Sequence, residues 1–165
     1  MTTLSAESKW VNLERSFFKL VYDELEVGKG HSGLISYDDD LFDTTGKTKW
    51  VRFSFLGLGV RKPSFQQVQA TVAARSLDSD PQNLTLKQLV DDVVEALNAN
   101  SFLMYDFSDI DNPVKIIKDL GRGEQEMEAA IRLIGPNPRQ PTLESGVSSF
   151  VLTYGIWLWK DGIIQ

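Results

Sequence analysis

Three glycines, Gly28, Gly30 and Gly33, have the G-x-G-x-x-G spacing that binds dinucleotide phosphates in some folds. In those folds the pattern follows a strand and opens a helix, so that the phosphate meets the helix N-terminus. Here it follows a helical pattern, so it predicts a helix end and a loop. Gly46-Lys47-Thr48 is typical of the end of a phosphate-binding loop, but Leu41 occupies the position of its first glycine. We therefore expect no nucleotide cofactor.

The only histidine, His31, lies among glycines, and the sequence indicates no partner for a zinc site or a catalytic triad. We predict an exposed loop residue. The acidic clusters at 38–40 and 106–112 lack the ligand spacing and central glycine of a calcium loop, which predicts solvated turns. A hydrolytic pair of carboxylates stays open, because such pairs are assembled in space. With no coherent nucleophile, metal or phosphate motif, we predict that the chain is not an enzyme.

A basic segment offers a different function, because residues 44–75 carry six bases and no acid. Trp50, Phe53 and Phe55 lie among these bases, and cations beside aromatic rings are typical of proteins that bind single-stranded nucleic acid. However, Phe53 and Phe55 share one face of a predicted strand, which favours a core position. A pI near 4.8 also lowers affinity for a polyanion. A nucleic-acid-binding domain that uses hairpin 47–75 is therefore the alternative hypothesis.

Charge is distributed unevenly along this chain of 165 residues and net charge −6. The basic block 44–75 is followed by 76–128, which carries twelve acids and four bases. Cysteine is absent, which excludes disulfides and thiolate metal sites. No secretory signal or long apolar run is present, so we expect a soluble protein that does not enter a membrane.

Hydrophobic spacing predicts the elements that position these groups. Apolar residues recur at helical spacing over about 5–26 and again over 86–98, where Thr85 and Gln88 have the spacing of a capping box. Alternation predicts strands at 50–58 and about 67–75, which can pair as a hairpin, and further strands near 102–107, 114–117, 126–134 and 148–159.

The sequence therefore predicts one α+β domain over 1–165, with two helices packed on one face of a mainly antiparallel sheet. The strand at 148–159 is apolar on both faces, which predicts a central position. Segments 28–48 and 135–147 are rich in Gly, Asp or Pro, so we expect long projecting loops that contact partners, with one short strand near 34–37. The proline-rich part, 135–141, is not expected to join a sheet.

This order of elements resembles that of bacteriophage tail-terminator proteins, which are tail-completion subunits at the neck. The segments that carry the resemblance are 50–58, Phe65–Leu77 with the following helix, and 150–159. The resemblance implies a virion structural protein, made in the host cytoplasm, that forms a homo-oligomeric ring, a hexamer. Such a ring closes the tail tube, contacts tube and neck proteins, and passes DNA only as cargo. The long segments depart from the family pattern, which leaves another neck, connector or baseplate role open.

The charge blocks fit such a ring, because head-to-tail contacts require two different complementary patches on each subunit. Alternatively, both blocks simply solvate a monomer. The residues that we predict at the subunit interface are Lys47, Lys49, Arg52, Arg61, Lys62, Asp91, Asp92 and Arg139.

Overall fold

Two helices lie in the part of the chain that a computed structural model describes, namely residues 6–38, 41–56, 61–62, 65–77, 81–119, 123–136 and 142–159. They are α1 (Ala6–Val21) and α2 (Leu84–Ala96). A π-helical turn, Tyr22–Val27, extends α1 as far as Gly28, where the sequence predicts the helix to end. Neither described helix has the length and apolar character needed to cross a membrane.

The strands of the described residues form one large sheet and two small hairpins. They are β1 (Ile35–Tyr37), β2 (Lys49–Leu56), β3 (Arg61–Lys62), β4 (Phe65–Leu77), β5 (Ser101–Leu103), β6 (Tyr105–Asp106), β7 (Val114–Lys115), β8 (Ile117–Asp119), β9 (Glu124–Glu126), β10 (Glu128–Pro136), β11 (Thr142–Glu144) and β12 (Val147–Trp159). The large sheet has the order β1-β2-β4-β12-β10-β5, with β3 beside β4 and β11 beside β12. Only β1 and β2 pair in parallel. The predicted α+β fold is confirmed.

Both helices pack on one face of the curled sheet, which we call the inner face. The predicted stripe of α1 is buried at Leu13, Phe17 and Val21, because residues four apart share one side of a helix. Phe17 lies at its centre. Its ring centroid is 6.0 Å from that of Phe53 on β2 and 6.1 Å from that of Phe102 on β5, so the sheet curls around this ring.

The strand β12 is central, as predicted. It pairs with β4 along its whole length, and with β10 and β11 on its other side. Its inner-face residues Leu152, Tyr154 and Ile156 are buried, whereas Val151 and Trp157 on the opposite face are half-buried. We call this opposite side the outer face. Neither described helix packs against it.

Segment 135–147 is only partly a loop. The prediction that 135–141 stays out of the sheet is wrong for its first two residues. After a bulge, Gly135 pairs with Thr153 and Pro136 pairs with Leu152. Proline is tolerated on an edge strand, and β5 accompanies β10 only over 128–130. Thr142 then pairs with Ser149, so β10 and β11 follow each other along β12. Residues 137–141, which connect them, lie outside the described residues.

The helix α2 forms where its spacing predicts, but the predicted capping box is wrong. The helix begins at Leu84, so Thr85 lies inside the first turn. The N-cap residue is Asn83, which has a left-handed backbone (φ 54°) and makes no capping hydrogen bond through its side chain. Asparagine adopts this conformation more readily than most residues, and it reverses the chain at the helix entry.

Candidate interaction surfaces

The first half of segment 28–48 contacts α2 through side-chain pairs. The prediction of an exposed His31 is wrong. His31 is only 6% exposed, and its Nε2 lies 2.7 Å from Oδ2 of Asp92. Nearby, Nζ of Lys29 lies 2.7 Å from Oε2 of Glu95. The acidic side of α2 therefore holds this loop. Sequence spacing does not reveal such a pair, because its members are 61 positions apart.

The glycine and lysine motifs have structural roles in the described residues. The N–H of Gly28 donates to the carbonyl of Asp23 at 3.0 Å and ends the helix, as predicted. The N–H of Lys47 donates to the carbonyl of Thr44 at 3.0 Å, which closes a turn, and Lys47 Nζ donates to the carbonyl of Asp43. The strand β2 begins at Lys49, so the helix that a phosphate-binding loop requires does not follow.

The acidic cluster at 106–112 forms hydrogen-bonded turns. The carboxylate of Asp106 accepts from the N–H and hydroxyl of Ser108, and these bonds hold the pKa of Asp106 below its usual value. Asp109 accepts from the N–H of Asp111 at 3.1 Å and from Asn112 Nδ2 at 3.2 Å. Within the described residues, no three acidic or histidine side chains are grouped to hold a metal ion. Residues 39 and 40 of the other cluster lie outside the described part.

Four of the predicted basic interface residues lie on β2 and β3, with Lys49 and Arg52 on opposite faces of the sheet. Lys49 begins β2, Arg52 lies on the outer face, and Arg61 and Lys62 form β3. Because β2 and β3 follow each other along β4, these residues extend over about 36 Å of strand. Nη2 of Arg52 lies 3.9 Å from Oδ1 of Asp38, so part of this charge is balanced within the subunit.

The other predicted interface residues do not lie on these strands. Lys47 lies in the turn that precedes β2, with Nζ 5.2 Å from the ring centroid of Phe42. Asp91 is exposed on α2, on the inner side of the sheet, and Asp92 bonds to His31. Arg139 lies outside the described residues. The proposed contact between these acids and bases stays a prediction.

The outer face presents an apolar cluster of two side chains, Trp157 and Ile134. A Cβ atom at Gly155 would lie 2.7 Å from Cη2 of Trp157 and 3.0 Å from Cδ1 of Ile134, so the indole lies across the glycine and against the isoleucine. Ile134 is 49% exposed, and Val151 on the same face is half-buried. The glycine allows Trp157 to lie flat on the sheet, where it adds to the apolar surface.

A second surface, the aromatic groove, combines residues that the sequence analysis did not connect. Arg15, Phe18, Lys19 and Tyr22 of the first helical segment meet Tyr37 on one side and Phe107, Ile110 and Pro113 on the other, around a groove of about 500 Å³. Tyr22 is 49% exposed and Ile110 is 61% exposed. The sequence contained one signal, since Phe18 and Tyr22 are four residues apart and lie off the buried stripe of α1.

Hydrogen bonds fix both walls of the aromatic groove. The ring of Tyr37 stands edge-on to Phe18, with centroids 5.5 Å apart, and its hydroxyl donates to Glu26. Burial, and then this hydrogen bond, raise the pKa of Tyr37. On the other wall, the N–H of Phe107 donates to Oδ1 of the buried Asn12 at 3.0 Å. A preformed groove loses little conformational entropy when it binds a partner.

Function has to be inferred from these surfaces, because no protein-family model matches the chain and no curated protein is significantly similar to it in sequence. The outer face and the aromatic groove both expose large apolar side chains. Contiguous exposed apolar surface is typical of protein–protein contact sites. Both surfaces therefore favour assembly with other subunits.

Proposed function

We propose that the chain is a structural subunit of a phage tail, in a tail-terminator ring that closes the tail tube and joins it to the neck. The observation that carries this proposal is the outer face of the central β4–β12 pair, which neither described helix covers. Trp157, Ile134 and Val151 form apolar surface there, and such residues are typical of the buried centre of a subunit interface. A neighbouring subunit that packs on this face would remove it from water.

The distribution of charge supports a head-to-tail arrangement. Lys49, Arg52, Arg61 and Lys62 belong to β2 and β3, which follow each other along β4, whereas exposed acids such as Asp91, Asp111 and Glu124 belong to other segments. Two different patches on one subunit generate a heterologous contact, which closes into a ring when the rotation permits. Exposed ion pairs contribute about 0–1 kcal/mol each, so charge orients the contact while apolar burial sets its strength.

The same geometry disfavours the nucleic-acid hypothesis. Trp50, Phe53 and Phe55 are 7%, 0% and 8% exposed, so none of them offers a ring face on which a base could stack. We also propose that the chain acts by assembling with other subunits and not by catalysing a reaction. His31 is engaged with Asp92, and Lys47 stabilises a turn, so each of these candidate catalytic or phosphate-binding groups has a structural role.

The proposal is tested by native mass measurement and negative-stain imaging of the purified protein. A closed ring of about six subunits of 18.6 kDa is expected. Ile134→Glu should reduce assembly, because it places a charge in the apolar cluster of the outer face. Leu84→Glu is the matched control, since Leu84 is similarly exposed (52%) and begins α2, where an acid is favourable. A monomer at all concentrations, or equal effects of the two changes, would argue against the ring.

Charge is tested separately by salt and by reversal. Higher ionic strength should weaken assembly without unfolding the domain, because it screens exposed charges. Reversing Arg61 and Lys62 to Glu should weaken assembly in the same way, with partial rescue when Asp91 is reversed to Lys. An oligomer that is insensitive to salt and to these reversals would show that the charge asymmetry does not contribute.

A further inference from the structure

We infer that the tip of the β11–β12 hairpin of one copy inserts into the aromatic groove of a second copy. Leu143 would lie against the aromatic side of the groove, and Glu144 would lie beside Arg15. The inference rests on the proposed function, because it names one contact between subunits of the proposed ring. The hairpin tip belongs to segment 135–147 and Tyr37 of the groove to segment 28–48, the two segments that the sequence predicts to contact partners.

The two sides of the groove differ in character. On one side, the ring of Phe18 stands edge-on to that of Tyr37, and both residues line the groove. On the other side, Nζ of Lys19 lies 5.2 Å from the ring centroid of Tyr105. Arg15 lies four residues before Lys19 and therefore on the same side of α1. One side of the groove is aromatic, and the other side adds positive charge.

Arg15 is the exposed cation of the groove. Nζ of Lys19 lies 2.7 Å from Oδ2 of Asp23, so the charge of Lys19 is balanced within the subunit. Within the described residues, no acid lines the groove, and Asp111 flanks Ile110 in sequence without lining it. An exposed arginine beside an apolar groove favours an occupant that has an acid next to an apolar side chain.

The hairpin tip presents this combination. Leu143 is 65% exposed, and Glu144 is exposed beside it. Successive residues of a strand point to opposite faces, so an inserted hairpin turns Leu143 to one side of the groove and Glu144 to the other. Ser145 and Gly146 have φ angles of 49° and 77°, which form a tight two-residue turn between the paired strands. A fixed hairpin loses little conformational entropy on binding.

Other exposed apolar side chains match the groove less well. Leu41 is more exposed than Leu143, but the carboxylate of the nearby Asp43 is already hydrogen-bonded within its own turn. Val114 and Ile117 are each followed by a lysine, which the positive charge of the groove opposes. The exposed pair of a leucine and an acid on a fixed turn therefore favours the β11–β12 hairpin as the occupant.

The groove of the same copy is too far away for its own hairpin. Leu143 pairs with Ser148 on β12, whereas Ala130 pairs with Trp157, which lies nine residues further along that strand. Nine residues of strand span about 30 Å. At that end β10 pairs with β5, from which the chain continues to the groove wall at 107–113. A second copy must therefore provide the hairpin, and two different surfaces on each subunit form a head-to-tail contact.

The first experiment is disulfide trapping, which detects the contact without requiring a ring. The natural chain has no cysteine, so a hairpin chain with Ser145→Cys can pair only with a cysteine introduced elsewhere. Groove chains carry Val11→Cys, one turn before Arg15 on α1, or Asp111→Cys, next to the opposite wall. Val27→Cys is the matched control, because Val27 is also an exposed valine of the first helical segment but does not line the groove.

Under mild oxidation, the hairpin chain should cross-link to at least one groove chain about tenfold faster than to the control chain, because binding raises the local concentration of the thiols. Mass spectrometry identifies the cross-linked pair, and thermal unfolding verifies that each variant is folded. Cross-linking that is no faster at both groove positions than at the control position would overturn the inference.

Substitutions in the same chains test the side chains of the contact. Leu143→Asp in the hairpin chain should slow cross-linking about tenfold or more. Leu41→Asp is its matched control, because Leu41 is also exposed but lies outside the hairpin. Arg15→Glu in the groove chain should slow cross-linking about fivefold, and Glu144→Arg in the hairpin chain should then restore it, because the ion pair is rebuilt with opposite signs.

Equal effects of Leu143→Asp and Leu41→Asp would overturn the inference. Lack of rescue by the paired reversal would overturn the position of Glu144 beside Arg15. Cross-linking that depends on Leu143 and on this ion pair supports the contact, even if the wild-type protein forms no ring and the proposed function fails.

The second experiment uses complementation between two proteins without added cysteines. The Arg15→Glu protein and the Glu144→Arg protein should each assemble poorly, because groove and hairpin then carry like charges. In an equal mixture, the hairpin of each chain matches the groove of the other, so mixed assemblies with alternating chains are expected by native mass measurement. A wild-type ring that persists unchanged in both variants would leave the ring proposal standing and overturn this contact.

Discussion

Replacing Tyr154 by Phe should stabilise the fold. Tyr154 lies on the inner face of the central strand β12 and is 2% exposed. Its hydroxyl group is buried and has no hydrogen-bond partner among the described residues. A buried hydroxyl without a partner costs about 1–3 kcal/mol, because it loses its bonds to water. Tyr154→Phe removes that group and keeps the ring, so the free energy of unfolding should rise by about 1 kcal/mol at neutral pH.

The same residue predicts a dependence on alkaline pH. Burial raises the pKa of Tyr154 to about 12, above the value of about 10 in an unfolded chain. Between these values the folded state retains a proton that the unfolded state releases, so stability falls as pH rises from about 10 to about 12. Two pKa units correspond to about 2–3 kcal/mol, which the Phe variant should not lose through this group.

Urea unfolding at pH 7, and at several values above pH 9, provides the measurement. Tyr22→Phe is the control, because Tyr22 is 49% exposed and its replacement should change stability by less than about 0.5 kcal/mol. A loss of more than about 1 kcal/mol in Tyr154→Phe at neutral pH would refute the reasoning, since it would mean that the hydroxyl has a favourable partner.

Two further pairs of substitutions test contacts described above. The pair of His31 and Asp92 should show a coupling of about 1 kcal/mol in a double-mutant cycle of alanine variants, and additive single effects would contradict this prediction. Gly155→Ala should cost about 1–3 kcal/mol of stability, because its Cβ would meet Trp157 at 2.7 Å. The loss should be smaller in a Trp157→Ala background, so equal losses in both backgrounds would exclude the indole contact as the cause.

Local periodicity was sufficient to predict the main elements. The four-residue spacing of Leu13, Phe17 and Val21 identifies the buried side of α1, and the two apolar faces of 147–159 identify a central strand. Such patterns involve residues that are close in sequence, and they indicate directly which side chains of an element are buried. The two helices, the central strand and the α+β class were therefore accessible from the sequence alone, whereas short strands such as β3 and β11 were not.

Contacts between distant segments were not accessible in the same way. His31 is buried because Asp92 is brought beside it, and no local sequence pattern indicates this contact. Similarly, Pro136 joins the sheet because its position on an edge tolerates proline, which depends on where β5 ends. The aromatic groove combines three separate segments, of which only Phe18 and Tyr22 gave a local signal.

The central pairing of β4 with β12 also has a consequence for how the chain folds. Leu77 pairs with Val147 and Phe65 pairs with Trp159, so this ladder joins residues at least seventy positions apart. Such non-local pairing slows folding, because a long loop must close before the pairing stabilises it. Until β12 inserts, β4 and β10 each present an unpaired edge, which promotes aggregation. High expression should therefore be limited by this late step, and lower temperature or chaperones during synthesis should increase the yield of folded subunits.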